Sequence, residues 1–184
     1  MIYLQESPVQ PRYDLGHLCA IHERIFGGIY DWAGQLRTVA IAKGSWFCLP
    51  QYIESSAAEI FRALHGENLL RGLSRDAFTE RLTYYLGEVN AVHPFCEGNG
   101  RAQRAFFGQL TNDAGYVLDW QHLDAHRNVA ASAAIMQGDP APMRKMLDEL
   151  VREPFACRRT WTGRGMQSKT LTRRAGSLTC TALS

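Results

Sequence analysis

From residue 53 to residue 150 the apolar side chains recur three and four apart, the spacing of a single helix face, in stretches separated by glycine, proline and polar turns. Ile53, Ala57, Ile60, Phe61 and Leu64 make one such face, ending near His65-Gly66. Ser74 can cap a second long helix lined by Phe78, Leu82, Tyr85, Leu86 and Val89. Pro94 disfavours helical geometry at His93, so this helix stops just before the histidine. A third starts near Gly100 and runs to Ala114, with Phe106, Phe107 and Leu110 inward and Gly115 as its stop. Two more are predicted at 124–137 and 140–151, the latter with Asp139 as cap and Pro140 in its first turn. Upstream, Asp14 can cap a helix over 14–26 that presents Leu15, Leu18, Cys19, Ile25 and Phe26 and ends at Gly27-Gly28. β-type patterning is confined to 38–42 and 47–49, a small hairpin around Lys43-Gly44-Ser45. Two strands cannot build a sheet-based core. The fold class is therefore mainly α, a helical bundle with one small β-hairpin.

The chain of 184 residues fits one ordinary domain, and 46% hydrophobic with 21% charged residues is the globular range. No apolar run reaches the ~20 residues of a membrane span, and the N-terminus lacks a basic-then-apolar leader, so the protein is read as cytoplasmic, with no membrane partner. The five cysteines are scattered without a CxxC pair, which argues against a disulfide framework or a structural zinc site. Residues 152–184 hold seven of the 20 basic side chains and one of the 18 acidic ones, so they carry a net +6 and residues 1–151 a net −4. The division follows: a folded domain over 1–151, and a basic tail over 152–184 with the composition of a disordered segment. A nucleic-acid partner is disfavoured, because the body is acidic and no aromatic stacking pattern accompanies the tail's charge beyond Trp161.

The chemistry concentrates in residues 93–104, HPFCEGNGRAQR. First-turn N–H groups of a helix lack intrahelical partners, and the dipole favours an anion there. Gly98 and Gly100 permit close approach of phosphate oxygens to the backbone at Asn99. Arg101 and Arg104, three apart, share a face and can grip one polyphosphate. Glu97 is a hard oxygen ligand suited to a phosphate-bound Mg²⁺, and His93 is a base that titrates near neutrality. Taken singly these are ordinary: a histidine before proline is usually a cap or core residue, and Gly-Asn-Gly a turn. Their succession across a helix–loop–helix is not. The Walker pattern fails because Arg101 follows Gly100, and the dinucleotide fingerprint fails because Gln103 stands at its third glycine.

These residues resemble the Fic (filamentation induced by cAMP) family, whose signature is His-Pro-Phe-x-Asp/Glu-Gly-Asn-Gly-Arg-x-x-Arg; the stretch from His93 to Arg104 meets every specified position. The likeness extends over about 14–150, including Asp31-Trp32-Ala33-Gly34, and looks most like bacterial Fic toxins and effectors. It implies a Fic-type bundle that transfers AMP from Mg·ATP to a Tyr, Thr or Ser hydroxyl of a target protein. His93 would be the base, and Glu97 would hold Mg²⁺. Gly98, Asn99 and Gly100 would form the anion hole, and Arg101 and Arg104 would hold the outer phosphates. Phe95 would anchor the loop, and the hairpin, at Ala42, Lys43, Gly44 and Ser45, would be the flap that docks the target. Gly100 stands where the phosphorylating death-on-curing branch carries lysine, which favours nucleotide transfer. Transfer of another nucleotide or of phosphocholine, or a non-catalytic nucleotide-binding module, are the alternatives. The family's inhibitory Ser/Thr-x-x-x-Glu-Gly/Asn helix is not met: Ser55-x-x-x-Glu59 is followed by Ile60, and the chain starts almost at its first core helix. A separate small antitoxin supplying that glutamate is the expected partner, and secretion into a host cell is a second setting for the activity.

Overall fold

The computed structural model describes residues 9–153. The basic segment predicted over 152–184 lies outside the described residues apart from Arg152 and Glu153. Asp14, Ser74 and Asp124 each accept a hydrogen bond from the backbone N–H three residues ahead, at 2.7, 3.4 and 2.8 Å, and each starts a helix where the sequence places one. The six helices are α1 (Leu15–Phe26), α2 (Ile53–Gly66), α3 (Arg75–Val92), α4 (Asn99–Asp113), α5 (Ala125–Met136) and α6 (Ala141–Leu150). Pro140 sits at the N-cap of α6, one position earlier than expected, while Asp139 still accepts from Ala141 N at 3.0 Å.

Helix α3 is the centre of the bundle and packs against α2, α4, α5 and α6. It buries Phe78, Leu82, Tyr85, Leu86 and Val89 together with Thr79 and Thr83. Those two hydroxyls donate to the carbonyls of Arg75 and Thr79 one turn back, so the polar side of the buried helix is satisfied. Helix α1 lies against α4 and closes the core over Phe106. Its buried face is His17, Leu18, Ile21, His22 and Phe26, so two histidines stand where the sequence pattern offered only apolar residues.

The hairpin is shorter than its pattern suggested. Strands β1 (Ala42–Lys43) and β2 (Ser45–Trp46) pair antiparallel, Ala42 with Trp46 and Lys43 with Ser45, and Gly44 reverses the chain at φ +80°. One further bond runs from Phe47 N to Ile41 O. Beyond that the ladder stops because its polar groups are used elsewhere: Cys48 N donates to Ala91 O, and the carbonyls of Val39 and Cys48 accept from the Arg37 side chain. A second ladder, unannounced in the sequence, joins β3 (Val117–Leu118) to β4 (Val151–Arg152) and ties the chain after α6 to the end of α4. Among the described residues no helix is long and apolar enough to cross a membrane.

Candidate active site

The loop between α3 and α4 is held by its own side chains. Helix α3 ends as His93 adopts a left-handed conformation, φ 46° and ψ 64°. Two residues on, Phe95 is fully buried, and removing such a ring from water is worth about 1.5–3 kcal/mol, enough to fix the loop to the core. Asn99 acts as a surrogate peptide: Oδ1 accepts from Phe95 N at 2.9 Å and Nδ2 donates to Phe95 O at 2.6 Å. Its amide is thus committed to closing the loop, and only its main chain is left for a ligand. Gly98 has φ +81°, and a Cβ there would lie 2.5 Å from the Phe26 ring.

Beyond Gly98 the first turn of α4 opens. The N–H groups of Arg101 and Ala102 turn back to Gly98 O, which leaves those of Asn99 and Gly100 at the helix start. The Arg101 guanidinium lies over the Phe26 ring, 4.3 Å from its centroid. Arg104 folds back toward Gly100, whose Cβ position is 3.4 Å from Nη1. Among the described residues neither arginine meets a carboxylate, whereas Arg12, Arg71, Arg81, Arg127 and Arg144 do. Burial, then the charge of Arg101, lower the Arg104 pKa, the condition of a cation short of an anion. The exposed Glu97 side chain accepts from Gly98 N at 3.1 Å through Oε1. Mg²⁺ takes one or two carboxylates together with phosphate oxygens and water, so this single carboxylate suits it. Cys96 is exposed, outside the packing that holds the loop.

His93 is set by two contacts. Its Nδ1 lies 3.2 Å from Asn90 O, a group that only accepts, so the proton sits on Nδ1 and Nε2 carries the lone pair. Phe47 of the hairpin stacks on the ring at 3.9 Å and 19°. Burial first, with the nearby charges of Arg37 and Lys43, pushes its pKa down to about 4, so the expected titration near neutrality is revised. Phe47 thereby brings the hairpin, exposed at Ala42, Lys43 and Gly44 and half-buried at Ser45, to the histidine.

Two residues of the site had escaped notice. His22 accepts from Gly34 N at Nδ1 and donates from Nε2 to Glu97 O, both at 2.9 Å, and its ring stacks on Phe95 at 3.9 Å. Its position four from both Leu18 and Phe26 was the signal that it faces inward. Arg37 lies beneath the hairpin and had no comparable signal.

Three histidines, His17 and His22 buried and His93 half-buried, give the fold an acid weakness. His17, His22 and His93 all have pKa values lowered by burial. Between about 4 and 6.5 for His93, the unfolded chain binds a proton that the folded chain refuses, so stability falls as pH falls. Across that window His93 alone is worth on the order of 3 kcal/mol. Urea midpoints measured between pH 7 and pH 4.5 should drop, and the drop should shrink in His93→Gln; an equal drop in both would remove His93 from the account.

A cavity of about 490 Å³ between α3, α5 and α6 is lined by Arg81, Tyr84, Gly87, Glu88, Ile135 and Arg144. Its arginines are already paired, Arg81 with Glu67 and Arg144 with Asp76 and Asp148, so it has no free cation for a phosphate. The motif loop does.

The model of the Fic/DOC family matches residues 12–111. "Protein adenylyltransferase VbhT" of Bartonella schoenbuchensis is 37% identical over 169 residues, 91% of this chain but 35% of that protein, so the chain spans about a third of it. "Probable protein adenylyltransferase Fic" of Salmonella typhimurium is 41% identical over 76% of this chain and 70% of its own. Among solved structures, the N-terminal Fic domain of a VirB-translocated effector from Bartonella quintana, with bound ADP, superposes with a TM-score of 0.75 at 25% identity, covering 83% of this chain and 79% of that one.

Proposed function

The chain belongs to the Fic/DOC family, and from that premise we infer that it is a protein adenylyltransferase moving AMP from Mg·ATP to a Tyr, Thr or Ser hydroxyl of a target protein. The observation that carries this reading is the state of His93: a neutral ring with its Nδ1 proton spent on Asn90 O and Nε2 left to accept, at the start of a loop whose far end carries Arg101 and Arg104, neither of which meets a carboxylate among the described residues. In the reaction the target oxygen bonds to the α-phosphorus as that phosphorus parts from the bridging oxygen to the β-phosphate. Pyrophosphate leaves with the bond's electrons, and the hydroxyl proton passes to His93 Nε2. The backbone at Gly98, Asn99 and Gly100 cradles phosphate oxygens, and Arg101 and Arg104 hold the outer phosphates. Glu97 would hold Mg²⁺, which would supply charge neutralisation on the phosphates. Catalysis is thus mainly placement and electrostatics.

The target segment docks along the hairpin at Ala42 to Ser45, by main-chain pairing to a strand edge. The uncommitted Arg104 is also where a glutamate from a separate antitoxin helix would bind. We assign the activity to the bacterial cytoplasm or, after secretion, to a host cell.

A panel of α-labelled ATP, GTP, UTP and CTP and of labelled CDP-choline, with Mg²⁺ and lysate, tests the reading. ATP is expected to give labelled protein bands. Bands from another donor would reassign the substrate, and none from any would leave a nucleotide-binding module. In the same panel Arg104→Ala should weaken ATP binding about 10- to 100-fold, the worth of one or two charge-assisted hydrogen bonds, with no loss of thermal stability.

A further inference from the structure

Arg37 is a buried cation, 3% exposed, whose side chain bonds only to backbone carbonyls among the described residues. Nε donates to His93 O at 2.8 Å, and Nη2 donates to Val92 O at 3.2 Å. Nη1 donates to Val39 O at 2.7 Å, and Nη2 also reaches Cys48 O. The Arg37 N–H donates to Pro94 O at 2.9 Å. Half of the fork thus caps the C-terminus of α3, where unpaired carbonyls and the helix dipole favour a cation and offset the missing carboxylate. A cap of that kind has no need of the other half. The remaining donors grip the hairpin on both sides of its paired strands, at Val39 before β1 and at Cys48 after β2. Phe47, next to Cys48, is the residue stacked on the His93 ring.

We propose that Arg37 is a positioning residue that sets the register between the hairpin and His93, so that a hydroxyl on a target strand laid along the hairpin meets Nε2. The proposal rests on the adenylyltransferase reading for what the register is used for, but not for the clamp itself. Register has steep consequences. Successive residues of a docked strand are about 3.3 Å apart and point to opposite faces, so a slip of one presents the wrong side chain. A misplacement of about 1 Å at the reacting atoms can cost about 100-fold in rate. No Arg37 atom belongs to the phosphate cradle, so the nucleotide should not sense its loss.

Arg37→Lys keeps the charge and much of the stem but replaces the planar fork by one ammonium, which cannot span both elements. Three readouts are expected. ATP affinity stays within about twofold of wild type, since the cradle is untouched. The amides of Phe47 and Cys48 exchange with solvent more than about tenfold faster, while those of Tyr85 and Val89 in α3 do not change. Transfer to lysate protein falls about 100-fold in kcat and needs more lysate for half-saturation, a pattern that loss of fold would not give with ATP binding intact. Unchanged hairpin exchange, or loosened exchange with unchanged transfer kinetics, overturns the proposal. Should the variant not fold, the wild-type Arg37 guanidinium resonances decide: slow rotation with couplings to the Val39 and Cys48 carbonyls is expected, and free rotation overturns the clamp. Wild-type protein that labels nothing refutes the adenylyltransferase reading alone, and hairpin exchange then judges Arg37 by itself.

Discussion

Replacing His93 with alanine is expected to lower AMP transfer by roughly 100- to 10,000-fold, the usual worth of a general base, while ATP binds as tightly as before. The separation follows from the geometry: the cradle is built from Gly98 onward, and the imidazole contributes to the target side alone. A conformational objection must be met, because His93 is left-handed at φ 46°, where alanine is strained by about 1 kcal/mol or more. His93→Asn removes the objection, since asparagine tolerates that conformation and has no comparable base. If the loss comes from the missing base, both variants are equally inert in single-turnover transfer. If it came from a strained loop, the asparagine enzyme would recover most of the rate, and the base assignment would have to be abandoned. The pKa of about 4 adds a further expectation: wild-type transfer should be flat from pH 6 upward, because the ring is already unprotonated there.

What was legible in the sequence had local causes. The α1 and α3 starts could be read because Asp14 and Ser74 act three residues ahead. The segment from His93 to Arg104 could be read because its residue types and spacing are contiguous. Arg37 could not, because its side chain's partners are all carbonyls, three of them, on Cys48, Val92 and His93, 11 to 56 positions away, and a carbonyl has no residue type. The same bonds explain the shortened hairpin: β patterning records which side chains could face a sheet, not that a guanidinium would take the backbone acceptors first. The second ladder consists of two residues on each side, too few to establish a period. The pKa of His93 was misjudged for a related reason. Its burial depends on a hairpin aromatic, Phe47, whose approach only the folded chain reveals.

Gly98→Ala should be strongly damaging, because one position meets two independent penalties. Its φ of +81° is strained for any L side chain, costing about 1 kcal/mol. The added Cβ would also lie 2.5 and 2.6 Å from two Phe26 ring carbons and 3.1 Å from His22 Nε2. The ring has little room to retreat, with His22 at 4.7 Å and Tyr30 at 5.7 Å between centroids and the Arg101 guanidinium at 4.3 Å. Overpacking of this kind costs about 1–3 kcal/mol, so the domain should lose about 2–4 kcal/mol in urea unfolding. Relief by moving the loop would break the His22 bond to Glu97 O and turn Arg101 away from the cradle, so transfer should fall about 100-fold even in the folded fraction. The two penalties can be separated with Phe26→Leu, which makes room without altering φ. The double variant should regain the packing part of the stability and retain the backbone part. A Gly98→Ala protein as stable and active as wild type would mean that the loop has an alternative seat, and that the close fit of glycine against Phe26 does not hold the cradle open.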